Sequence, residues 1–286
     1  MIPVAFDYLR PSSVEEAVAA LQSAEASGDE VKVLAGGQSL LPVLRLRLAG
    51  PSTVIDLSGI AALRGIRLDG DALVIGAMAT HADVAGSPLV RAEAALVAEV
   101  ARTVGDRQVR HRGTLGGSLA HADPAGDLPT AAVALDATLV AAGPAGRRSI
   151  AARDFFTDVF TTALGPDEVL VEVRFPRIPS WGARYEKFHR TAQAWAVVGA
   201  AASVHVVDGA IAAARLALTN MGPTPVRALA VETALVGVTD AAGVRAACAV
   251  AGAGTTPPTD MNGSAEYRRH LAGVLSARAV VAAARF

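Results

Sequence analysis

The run VKVLAGGQSL (31–40) carries an apolar stretch into two glycines and a polar pair, and TLGGS (114–118) repeats the pattern eighty positions later. Glycine has no Cβ, so its backbone can approach a ligand closely and can adopt positive φ. Successive N–H groups at such a junction can converge on an anion, and a helix beginning just beyond adds partial positive charge. Gly36, Gly37, Gln38 and Ser39, followed by Pro42 at a possible first helical turn, fit a phosphate nest. A plain tight turn fits them too. The second pair, Gly116-Gly117, follows Arg107, Arg110, His111 and Arg112 and precedes Asp123 and Asp127. The arginines suit a phosphate or a solvated face. Asp127 has two readings, an acceptor for ribose hydroxyls or a helix N-cap ahead of Pro129.

Other nucleotide and hydrolase signatures are missing. No G-x-G-x-x-G, G-x-S-x-G or H-E-x-x-H occurs, and neither lysine, Lys32 or Lys187, follows a glycine loop as a P-loop requires. His121-Ala122-Asp123 offers two ligands, too few for a metal site. Cys248 is the one cysteine, which excludes disulfides, cysteine-zinc sites and iron–sulfur clusters within this chain. A net charge of −1 gives no bulk attraction to nucleic acid or anionic lipid. Charges interrupt every apolar run before the roughly 18 residues of a membrane span, and no secretory signal opens the chain. A cytoplasmic globular protein is expected.

The elements that must position these loops read as α+β. Ser13-Val14-Glu15-Glu16 forms a capping box ahead of apolar residues at helical spacing, and Gly28 closes that helix. A strand is expected over 31–34, a strand and turn over 53–60, a hairpin over 65–80 turning at Asp69-Gly70-Asp71, and one helix over 88–104. After the prolines of PRIPSWG (176–182) come strands near 195–207 and 210–219, then helices near 226–236, 240–250 and 264–284. At 286 residues the chain suits two domains.

AGGQSLLPVLRLRL and TLGGSLAHADPAGDLP resemble the paired signature loops of the FAD-binding medium subunits of molybdenum hydroxylases, the family of the carbon monoxide and xanthine dehydrogenases. FDYLRPSSVEEAVAAL, LTNMGPTPVRA and EYRRHLAGVLSARAV resemble it as well, so the likeness spans the chain. It implies a two-lobed PCMH-type (vanillyl-alcohol-oxidase-like) FAD-binding domain over 1–176, with lobes of about 1–60 and 61–176. A smaller C-terminal domain over 180–286 follows. It assigns Ala35, Gly36, Gly37, Gln38, Ser39 and Leu40 to the first pyrophosphate loop and Thr114, Leu115, Gly116, Gly117 and Ser118 to the second. Asp127 would contact the ribose or adenosine side, with His121 lining the FAD nearby. Val104 and Leu170 would pack on the cofactor, and Lys187 would lie near the flavin. Trp195 stands where relatives often have a tyrosine against the isoalloxazine, with Ala194 replacing an aspartate; its plain alternative is a core aromatic at the domain seam.

The resemblance also implies partners: a large molybdenum-cofactor subunit that oxidises the substrate and a small subunit with two [2Fe-2S] clusters, as a dimer of heterotrimers. Electrons would pass from those clusters through FAD to an external acceptor, and no residue of this chain would be catalytic in the substrate reaction. A free-standing flavin oxidoreductase and a non-redox assembly module are the alternatives.

Overall fold

A computed structural model describes residues 2–286. The helix Val14–Ser27 forms with half of its expected box, because the Glu16 carboxylate accepts from the Ser12 amide at 2.7 Å and not from Ser13. The Ser13 hydroxyl accepts from the Glu16 amide at 3.1 Å, and Gly28 closes it in the left-handed region. The buried side chains Val14, Ala17, Val18 and Leu21 lie along one stripe of it. A small parallel sheet accompanies it, in the order Asp7–Leu9, Thr53–Asp56, Val31–Leu34. The next sheet has five antiparallel strands: Ile66–Asp69, Ala72–Gly76, Val169–Pro176, Thr138–Gly143 and Gly146–Ala151. The expected hairpin at Asp69-Gly70-Asp71 joins its first two strands.

Alternation makes this sheet two-faced, and a bulge between Leu170 and Glu172 exchanges the faces along Val169–Pro176. Val140, Ala142, Val169 and Val171 face the first helix, while Leu139, Ala141, Val173 and Phe175 face a layer of helices between 81 and 134. A third sheet, Gly182–Phe188, Val198–Val207, Ala210–Thr219 and Val226–Arg227, covers the far side of that layer through Tyr185, Ala201 and Ala217. Its opposite face packs on the long helix Ala265–Ala284. The helical layer is thus clamped between two sheets from different halves of the chain.

Two expectations change. The helix over 88–104 is two helices, Pro88–Glu93 and Ala95–Thr103, broken at Ala94. The Glu93 carbonyl is taken by the Ile178 amide at 2.8 Å, which removes it from the helical ladder. The second glycine stretch is the start of a helix, Leu115–His121. Cys248 lies in the C-terminal core, where burial pushes its thiol up to about 12. Among the described residues no helix is long and apolar enough to cross a membrane.

Candidate functional site

The two glycine stretches meet. A Cβ on Gly36 would lie 2.2 Å from the Arg112 carbonyl oxygen and 2.7 Å from the Gly113 Cα. A Cβ on Gly117 would lie 3.2 Å from the Cβ of Ala35. Gly36 is therefore required by backbone-to-backbone packing, beyond any ligand. Gly37 has φ 76°, a conformation other residues rarely adopt.

Their hydrogen bonding is not alike. Among the described residues, the N–H groups of Gly36, Gly37, Gln38 and Ser39 find no protein acceptor, and the helix Leu40–Arg45 starts directly after them. Unpaired donors ahead of a helix N-terminus are what an anion nest requires. The second stretch has spent its donors. Leu115 N donates to Ala79 O at 2.9 Å, Gly116 N to Ala77 O at 2.8 Å, and Ser118 N to Thr114 O at 3.0 Å. Gly117 N donates to the capping hydroxyl of Thr114 at 3.1 Å. Gly116 is needed because a Cβ there would sit 2.5 Å from the Ala77 side chain. The second stretch thus buttresses the first, and its half-buried Ser118 remains a side-chain donor.

His81 braces this joint. Its amide donates to Gly113 O at 2.9 Å, and its ring packs where a Gly113 Cβ would be. The imidazole is buried with no partner for Nδ1. Burial, aided by the Arg110 charge, lowers its pKa to about 4. A folded value below the unfolded one gives stability that is full above about pH 6.5 and is lost as pH falls toward the folded value. Between pH 7 and pH 5 the chain should lose roughly 2 kcal/mol through this group. Urea midpoints at the two pH values test this, and in His81→Leu the difference should shrink by that amount. An unchanged pH dependence in the variant would remove His81 from the account.

Asp127 is not the helix N-cap that its sequence allows. Gly126 is the N-cap, and Asp127 is the first residue of the helix Asp127–Ala134. Its carboxylate is buried, with Tyr185 Oη donating to Oδ1 at 2.6 Å and Lys187 Nζ to Oδ2 at 2.7 Å. Tyr185 Oη also lies 3.0 Å from Thr219 Oγ1, which pairs with Thr130 at 2.8 Å. Each carboxylate oxygen thus has one protein donor and keeps a further acceptor site. Burial raises the Asp127 carboxyl, opposed by the Lys187 ammonium and the Tyr185 hydroxyl. Burial and the Asp127 charge hold the Tyr185 hydroxyl well above its ordinary value, so it stays a donor. Gly199 makes this possible, since a Cβ there would sit 2.3 Å from Tyr185 Oη.

The remaining expected residues fall in four places. Val104 adjoins the charged cluster. Lys187 Nζ reaches the Thr103 carbonyl at 3.5 Å, and Arg110 binds the Val104 carbonyl at 3.0 Å. Leu170 is a buried member of the central core. His121 ends its helix half-buried, its ring 5.0 Å from that of Phe160. Trp195 is 66% exposed, which removes the core-aromatic reading. The other tryptophan, Trp181, is half-buried just before the third sheet begins and stacks 5.6 Å from His205. The Trp195 loop is tied down on its C-terminal side. Asn220 Nδ2 donates to Ala196 O at 2.8 Å while its amide binds Pro124 O at 2.9 Å, and Arg268 holds the Val197 carbonyl.

Sequence reading missed Tyr185, Gly199, Thr219, Asn220 and His81. Tyr185 had one local signal, since it shares a strand face with Lys187 two positions on.

Residues 4–178 match the FAD binding domain in molybdopterin dehydrogenase, and residues 183–283 match the CO dehydrogenase flavoprotein C-terminal domain. The carbon monoxide dehydrogenase medium chain of Hydrogenophaga pseudoflava is 41% identical over 285 residues, 99% of this chain and 98% of its own. The solved CO dehydrogenase of Oligotropha carboxidovorans superposes with a TM-score of 0.95 at 38% identity, over 100% of this chain and 99% of that one. Quinoline 2-oxidoreductase from Pseudomonas putida 86 superposes with a TM-score of 0.94 at 35% identity, over 100% and 99%.

Proposed function

This chain belongs to the FAD-binding medium subunits of the molybdenum hydroxylases, and we propose that it is the electron relay of such a complex. It holds FAD between the [2Fe-2S] clusters of a small partner chain and an external acceptor. A large partner chain with the molybdenum cofactor oxidises the substrate, and the three chains assemble as a dimer of heterotrimers in the cytoplasm. FAD, when bound, supplies the redox chemistry that no side chain here can supply. The row of free donors at Gly36, Gly37, Gln38 and Ser39 carries the reading, because it fits a pyrophosphate and has no other use in the fold.

The protein's own residues bind and orient. The first glycine loop accepts the pyrophosphate, and the helix Leu115–His121 fixes that loop from behind while offering Ser118. Lys187 puts a cation at the seam beside Val104, and exposed Trp195 offers an indole face for stacking on the ring system. With Ala194 before it, no carboxylate accompanies that indole. An absorption spectrum of the chain loaded with FAD and freed of excess tests this. Bound-flavin bands are expected, with FAD rather than FMN released on denaturation. A colourless chain that stays colourless in the co-expressed complex would overturn the reading.

A further inference from the structure

Trp195 is largely exposed, so packing within this chain does not fix its indole, and the backbone that carries it must. Ahead of it the loop closes on itself. The Ala194 amide donates to Thr191 O at 3.2 Å, and Gln193 takes φ 70°. Behind it the successive carbonyls of Ala196 and Val197 both accept from Asn220 Nδ2, at 2.8 and 3.3 Å. Ala196 and Val197 are buried, so their carbonyls need protein donors. Any donor would serve that need. What distinguishes this one is where its backbone goes. Asn220 follows the strand Ala210–Thr219 at φ 61°, in the left-handed region that Gly and Asn enter most easily. Its amide donates to Pro124 O at 2.9 Å. Pro124 lies in the turn between the helices Leu115–His121 and Asp127–Ala134. One residue therefore holds the Trp195 loop with its side chain and the turn behind the second glycine stretch with its backbone. It does so across the border between the two matched regions.

We propose that Asn220 is a positioning residue for the flavin: it fixes the Trp195 indole relative to the glycine loops, so that the stacking face is set before FAD arrives. It acts through Trp195. The inference rests on the electron-relay reading, with Trp195 stacked on the ring system, and adds the residue that holds the indole there. A face set in advance costs the ligand less to order than a loop that must close on it. The neighbouring Thr219 joins the same seam from below, through Tyr185 Oη to Asp127. The end of this strand thus orders the indole through one residue and the buried ion pair through the other.

The test is flavin emission per bound FAD in the full chain. An indole in contact with an oxidised flavin quenches its emission, so emission reads the fraction of sites with the indole displaced. Wild type should be dim and Trp195→Leu bright. Asn220→Gly keeps the left-handed backbone and the amide to Pro124, and removes only the Nδ2 donor. Losing one or two ordinary hydrogen bonds should raise the displaced fraction, and with it the emission, about tenfold. In the Trp195→Leu background the same change should add nothing. Asn220→Asp, equal in size and also at home at positive φ, offers no donor to Ala196 O at neutral pH and should brighten as well. It decides the matter if Asn220→Gly does not fold. Wild-type emission in the Asn220 variants, with Trp195→Leu bright, would overturn the positioning role and leave the stacking. An equal rise with and without Trp195 would make Asn220 a general support of the fold and overturn the proposal too. Dim emission from Trp195→Leu would overturn the stacking, and this proposal with it, while FAD stayed bound. A wild-type chain that holds no FAD, alone or in the co-expressed complex, would overturn the relay reading itself.

Discussion

Gly36→Ala is expected to purify without flavin. The added methyl would lie 2.2 Å from Arg112 O, a contact no rotamer relieves because Ala has none. The two stretches must part, and the free donors of Gly36, Gly37, Gln38 and Ser39 lose their convergence. Hydrogen bonds to a charged group are worth roughly 1.5–3 kcal/mol each. Losing two amounts to roughly 3–6 kcal/mol, or about a hundredfold to ten-thousandfold in affinity. Equilibrium dialysis against FAD reads this directly. Gly65→Ala is the control, since nothing lies within 4 Å of a Cβ there, and it should bind as wild type. Wild-type affinity in Gly36→Ala would show that the pyrophosphate is held elsewhere.

Lys187→Met should have the largest effect on stability. It leaves the Asp127 carboxylate buried with Tyr185 as its one strong donor. Removing one partner of a buried ion pair costs about 3–5 kcal/mol, because the remaining charge stays desolvated. Asp127→Asn/Lys187→Met removes both charges and should regain most of that loss. The pH dependence follows from the sign of the shift. Burial already raises Asp127 in the wild type, and loss of the ammonium raises it further. A carboxyl raised in the folded state favours folding when protonated. Stability is therefore greatest below its unfolded value and declines as pH rises toward its folded one. Urea midpoints of Lys187→Met should accordingly improve on acidification relative to wild type. A midpoint equal to wild type at neutral pH would mean that the pair contributes nothing net.

Signals written within one turn of chain are legible in this sequence. Ser13, Glu16 and Gly28 bound the first helix because cap and left-handed closure are local chemistry. Asp69-Gly70-Asp71 turns its hairpin for the same reason. What escapes a local reading is decided by distant partners. The break at Ala94 goes with the Ile178 amide, which bonds the Glu93 carbonyl. Gly116-Gly117, poor helix formers, begin a helix because Thr114 caps it and Ala77 and Ala79 receive its amides. The site divides in the same way. That the glycines matter is visible from sequence, but that one pair presents donors and the other only supports it depends on acceptors nearly forty positions upstream. Asp127 illustrates the limit, since its partners Tyr185 and Lys187 arrive from another sheet and nothing near it foretells them.

The border between the two matched regions falls near residue 180, yet a buried ion pair straddles it. Asp127 lies on one side, while Tyr185, Lys187 and Gly199 lie on the other. Recombination at that border between divergent relatives would pair a carboxylate from one lineage with a cation, a hydroxyl and a vacant Cβ position from another. The unit that can be inherited or exchanged intact is therefore the whole chain, and these four positions must change together or not at all.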